Sequence, residues 1–212
     1  MTPPLFVTQK KLILASASPR RIHFLQGLGL RFQALAADID ETPYHDETSG
    51  EFVRRMARDK ALTLARAYPD AVVIGADTII DCHGRILGKP TDAAHALAML
   101  QLLRDTGTHR VITGFALVCL QEQIDLTQSS ATTIHFASLP DAVLQAYVDS
   151  GEPMGKAGSY AIQENGGFLV QKIAGSSTNV IGLPMHELVQ LLLELGIINP
   201  AAGNTDRERL IA

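Results

Sequence analysis

An α/β fold on a sheet of mixed strand direction is predicted by three observations. Apolar runs of strand length recur between stretches with helical spacing. Two long β-type runs, 110–120 and 125–137, are separated only by a polar turn around residues 121–123, which makes them an antiparallel pair. The remaining strand-like runs alternate with helices, as in an α/β sheet. With 212 residues, 46% of them hydrophobic, the chain can fill one substantial core or two lobes sharing a cleft. A single domain is expected over residues 10–197, with a short lead at 1–9 and a tail at 198–212.

Residues 11–15 have the length and apolarity of a strand, Ser18 is a favoured N-cap, and Pro19 suits the first helical position because its missing N–H would be unpaired there anyway. The helix runs through Ile22, Leu25 and Leu28 to a stop near Gly27 or Gly29. A second strand is expected at 32–40, a polar loop at 41–50, a helix at 51–68 and a strand at 71–80. Asp81-Cys82-His83-Gly84 punctuates that strand as a hairpin turn, and 85–88 returns. Thr91 or Asp92 caps a helix that runs through Leu103 and stops near Gly107. After the long β pair come a helix at 140–149, a glycine-rich segment at 151–167, a strand at 168–173 and a helix at 184–195. Residues 199–212 read as a frayed tail.

No apolar run approaches the roughly 20 residues that span a bilayer, and Met1-Thr2-Pro3-Pro4 lacks the basic and apolar regions of a signal peptide, so the cytosol is the expected location. Cys82 and Cys119 read as small buried apolar residues. The net charge of −4 divides unevenly, +3 over residues 1–66 and −7 over the rest. That pattern suits an anion site in the first part but lacks the basic stripe of a nucleic-acid binder. With 5% aromatics and no Trp, platforms for stacking single-stranded bases are scarce as well.

Ser16-Ala17-Ser18-Pro19-Arg20-Arg21 ends a strand and opens a helix, so free N–H groups, two hydroxyls and two guanidinium forks converge on one point, which favours an oxyanion. Lys60 interrupts the apolar stripe Val53, Met56, Ala57 and Leu64, which sends its ammonium either to the edge of the core or through the apolar face into an anion-binding cleft. Asp77 interrupts a nearly continuous buried strand and must find cations or a metal there, unless it caps a turn after Gly75. Lys89, in Gly88-Lys89-Pro90, stands just before a helix start. Glu41 closes the acidic run Asp38-Ile39-Asp40-Glu41 and is a candidate to join Asp77 in holding Mg²⁺, which takes one or two carboxylates plus phosphate and water oxygens. The seven histidines show no paired metal-ligand spacing and read as surface or structural residues. P-loop, dinucleotide-binding and hydrolase-elbow motifs are all absent.

Taken in order, Ser-Ala-Ser-Pro-Arg-Arg, Asp-Ile-Asp-Glu, Arg-x-Lys-Ala, Gly-Ala-Asp-Thr, Gly-Lys-Pro, Lys-Ala-Gly-Ser-Tyr-Ala-Ile-Gln and Gly-Leu-Pro resemble the Maf family of nucleoside triphosphate pyrophosphatases over roughly residues 11–195. The resemblance implies an inosine-triphosphatase-like fold: a mixed twisted sheet with flanking helices and a cleft between two lobes. It also implies a divalent cation such as Mg²⁺ or Mn²⁺, a homodimer, and hydrolysis of a nucleotide to its monophosphate and pyrophosphate. By it, Asp77 is the proton acceptor, and Ser16, Arg20, Arg21, Glu41, Lys60, Lys89 and Lys156 are cleft residues. Arg20, Thr78 and Gln163 match the pattern of members acting on dTTP and UTP, whereas Glu164 departs from the glycine common at its position. Two rivals accompany that reading: a broad house-cleaning pyrophosphatase, and a non-catalytic nucleotide-binding regulator of cell division, for which Asp77 would be unnecessary.

Overall fold

The computed structural model describes residues 4–201. In chain order its elements are β1 (Phe6–Thr8), β2 (Leu12–Ala15), α1 (Pro19–Gly27), β3 (Gln33–Ala34), α2 (Ser49–Ala67), β4 (Val72–Cys82), β5 (Arg85–Leu87) and α3 (Ala93–Thr106). There follow β6 (Thr108–Cys119), β7 (Ile124–Phe136), α4 (Asp141–Asp149), 3₁₀ turns at Ala157–Ser159 and Asn165–Leu169, β8 (Val170–Ala174), α5 (Ser177–Ile181), α6 (Met185–Glu194) and β9 (Ile198–Pro200). A seven-stranded sheet has the order β3-β2-β4-β6-β7-β8, with β5 also paired to β4. Strands β3, β2 and β4 run parallel and the pairs from β4 through β8 are antiparallel, which gives the mixed sheet expected from the alternation of helices and hairpins.

The long strands carry two cores. Val72, Ile74 and Ala76 of β4 pack with α1 and α6 through Leu25, Leu188 and Leu192. Ile80 and Cys82, on the same face of the strand, pack instead with Leu100 and Leu103 of α3 and Leu144 of α4. Helix α2 covers the opposite face through Ala57, Ala61 and Ala65. Residues 77–79 therefore lie at the joint between two lobes. The sheet edge is open at the same place: β2 pairs with β4 only as far as Gly75, and β5 pairs with β4 only from Ile80 onward, so residues 76–79 have no strand partner on that side.

Two expectations need correction, and one short helix was not foreseen. The strand at 32–40 shrinks to Gln33–Ala34, because its partner β2 ends at Ala15 and offers no further ladder. Asn199 and Pro200 are not frayed: β9 pairs antiparallel with β1, joining the expected lead to the expected tail, and Ile198 is fully buried. Residues 202–212 of that tail lie outside the described residues. Helix α5 lay unrecognised between Gly175 and Gly182, five residues being too short to show helical spacing. Both cysteines are free and buried, as expected. No described helix is long and apolar enough to cross a membrane.

Candidate active site

Two glycines set the site's depth. A methyl group at Gly75 would lie 2.0 Å from the Ala57 carbonyl oxygen, and one at Gly114 would lie 2.2 Å from that of Val53. Only glycine lets the backbone of α2 come this close to β4 and β6. Gly114 is the cross-strand partner of Asp77, so the close approach occurs beside the carboxylate. It places Lys60 Nζ 2.7 Å from Asp77 Oδ1 and 2.7 Å from Glu41 Oε1, with the lysine side chain only 11% exposed. Lys60 thus reaches through the apolar face, and Asp77 sits inside β4, not at a turn. The hydrogen bond from Lys60, opposed by partial burial, holds the Glu41 carboxyl below its usual range, with further help from the charges of Lys60, Lys89 and Arg21.

The pleat sends Thr78 to the other face, toward α1. Arg21 donates from Nε to the Gly182 carbonyl (2.8 Å), from Nη1 to the Ala76 carbonyl (3.0 Å) and Ser16 Oγ (3.3 Å), and from Nη2 to Thr78 Oγ1 (3.0 Å). It thereby serves Ala76 where the sheet edge is open, and it ties α1 to β4 and to the turn after α5. Its guanidinium is committed to the protein, contrary to the expectation that both arginines converge on an anion; burial pulls its pKa down, against the nearby Asp77. Thr113 gives its hydroxyl proton to the Asn179 carbonyl at 2.9 Å, so Thr78, 2.9 Å away, donates to Thr113 while accepting from Arg21. Thr78 is held in this relay and does not stand free to read a base.

Arg20 contrasts with its neighbour: its Nε is buried without a partner, a condition native structures seldom leave unrelieved. Ser18 occupies the N-cap of α1, yet its side chain makes no capping bond; its N–H donates to Ser16 Oγ at 3.1 Å. Ser16, Arg20, Arg21, Glu41, Lys60, Asp77, Thr78, Lys89, Lys156 and Gln163, drawn from six separate segments, line one cavity of about 1040 Å³. Arg20, Arg21, Lys60, Lys89 and Lys156 outnumber Glu41, Asp77 and Glu164 along its wall, a positive balance suited to a polyphosphate.

Residues 11–195 match the Maf-like protein family. The chain belongs to the Maf family. Its relatives include the dTTP/UTP pyrophosphatase of Desulfotalea psychrophila, 45% identical over 92% of this chain and 100% of that one. The dTTP/UTP pyrophosphatase of Myxococcus xanthus is 46% identical over 91% of this chain and 96% of its own. Among solved structures, the nucleoside-triphosphatase / dITP/XTP pyrophosphatase of Mycobacterium abscessus is similar over 87% of this chain and 97% of that one, at 14% identity and a TM-score of 0.44.

In this Maf protein Glu164 is engaged by the cavity wall: its Oε2 lies 3.0 Å from Lys156 Nζ, which also donates to the Glu152 carbonyl. Glu41 and Asp77, both against one ammonium, present hard oxygen donors that fit Mg²⁺ or Mn²⁺. Among the described residues no group of three or more His, Cys, Asp or Glu side chains is placed to hold a metal ion. Sequence reasoning missed Thr113, the Gly182 carbonyl and the two close-approach glycines. Of these only the glycines carried a signal, each breaking an apolar strand run.

Proposed function

We propose that this protein hydrolyses dTTP and UTP to the monophosphate and pyrophosphate. The observation that carries it is Lys60 bracketed by Asp77 and Glu41 at the open sheet edge, in the cavity that Arg20 lines with an unpartnered Nε. Water attacks the α-phosphorus; a P–O bond forms, the bond to the α–β bridging oxygen breaks, and pyrophosphate leaves with the electron pair. Lys60 holds Oδ1 of Asp77, so Oδ2 takes the water proton. Arg20, Lys89 and Lys156 grip the triphosphate and offset the charge on the departing pyrophosphate. Arg21 keeps that wall rigid. Glu41 and Asp77 would hold a Mg²⁺ or Mn²⁺, which supplies Lewis-acid stabilisation of phosphate charge when bound. With Thr78 committed to its relay, Gln163 is the remaining side chain of the specificity pattern to read a pyrimidine edge. The protein acts in this reading as a cytosolic homodimer on free nucleotides.

The test is a panel of pyrimidine and purine triphosphates with Mg²⁺ and chromatographic identification of products. Preferential conversion of dTTP and UTP to monophosphate and pyrophosphate is expected. Release of a nucleoside diphosphate, or no turnover, overturns the proposal, and equal turnover of purines replaces it with the house-cleaning reading.

A further inference from the structure

Glu41 enters the cavity from residues 41–48, which contain no helix or strand, and its own side chain is 60% exposed. A single guanidinium on α2 holds that loop at several points. Arg55 donates from Nε to Glu47 Oε1 at 2.6 Å and from Nη2 to Oε2 at 2.5 Å, a bidentate fork on a carboxylate whose side chain is only 7% exposed. Nη2 also donates to the Thr42 carbonyl at 3.0 Å, and the guanidinium lies over the Tyr44 ring, 3.8 Å from its centroid. Glu47 in turn accepts from the Tyr44 N–H at 3.1 Å. Thr42, Tyr44 and Glu47 are thus fixed by one side chain. Arg55 and Lys60 stand five residues apart on one helix, about 7.5 Å along its axis, so the loop's clamp and the contact of Glu41 share one rigid ruler.

From this geometry we infer that Arg55 is the positioning residue for Glu41: its fork on Glu47 and Thr42 sets where the Glu41 carboxylate meets Lys60 and the substrate's metal. The inference rests on the role given to Glu41 above. Lysine at position 55 keeps the charge but cannot form the planar fork, which makes Arg55→Lys the informative variant. Arg55→Lys, Glu41→Gln and the double variant are compared by dTTP turnover across a Mg²⁺ titration, together with amide hydrogen exchange of the Mg²⁺-free protein. Arg55→Lys is expected to lower kcat/KM and raise the Mg²⁺ concentration for half-maximal rate, each about tenfold, and to change either less than about twofold when Glu41 is already Gln. Faster exchange is expected at residues 41–48 and not in β4. Equal losses in both backgrounds, or unchanged exchange at 41–48, overturn the inference. A Glu41→Gln protein with unchanged turnover while exchange at 41–48 still rises in Arg55→Lys would instead sink the role given to Glu41.

Discussion

Lys60 Nζ stands 2.7 Å from Asp77 Oδ1, joining the middle of α2 to the middle of β4. The contact engages Oδ1 and not Oδ2. Asp77→Asn removes the proposed proton acceptor while keeping the shape, so kcat for dTTP is expected to fall about 10²–10⁴-fold with KM little changed. Pyrophosphate release measures it, and an unmutated rate would refute the assignment.

Adjacent arginines should separate by phenotype. Arg21→Ala strands the Ala76 carbonyl and removes the donors to the Gly182 carbonyl and to Thr78 Oγ1, so about 3 kcal/mol of folding stability should be lost in urea denaturation. Arg20→Ala relieves an unpaired Nε, so stability should hold while KM for dTTP rises about tenfold.

Gly75→Ala and Gly114→Ala push α2 off the sheet, since each added methyl meets a helix carbonyl at 2.0 or 2.2 Å. Each should cost about 3 kcal/mol and reduce activity beyond what unfolding explains, because Lys60 moves with the helix. Thermal melts read beside specific activity at low temperature check this.

His109 supplies a pH dependence away from the cavity's phosphate wall. It is 3% exposed, Nε2 is 2.7 Å from the Tyr160 hydroxyl, and Nδ1 is buried without a partner. Burial pushes its pKa down to about 4 from 6.5. The folded value is depressed, so the unfolded chain binds the proton first. Stability attributable to His109 is full above about pH 6.5 and is lost as pH falls toward 4, by about 3 kcal/mol in all. Denaturation midpoints of His109→Gln should vary less over that window than those of the unmutated protein.

Legibility followed local contradiction. A lysine in an apolar stripe and an aspartate in a buried strand each announce that something outside their own element compensates them, and the structure places both at one cavity. Arg20 and Arg21 carry no such distinction: same residue type, same helix turn. Their fates diverge because Ala76 and Gly182, 55 and 161 residues beyond Arg21, are delivered to one guanidinium and not to the other. The commitment of Thr78 is hidden for the same reason, its partners Arg21 and Thr113 being distant in sequence. The pairing of β1 with β9 escaped notice because three-residue strands leave no periodicity.

By itself the sequence determined the α/β alternation and most element positions, because hydrophobic period and turn chemistry are written in local order; misplaced charge singled out Lys60 and Asp77, and the order of the motifs carried the family and, through it, Lys156, Thr78 and Gln163. The tertiary structure alone decided the break in the sheet edge at residues 76–79, the assignment of Arg21 and Thr78 to the framework, and the clamp of Arg55 on the Glu41 loop. Those depend on which backbone groups meet across long stretches of chain, and a hydrogen bond is fixed by distance and direction in space, which residue order does not carry.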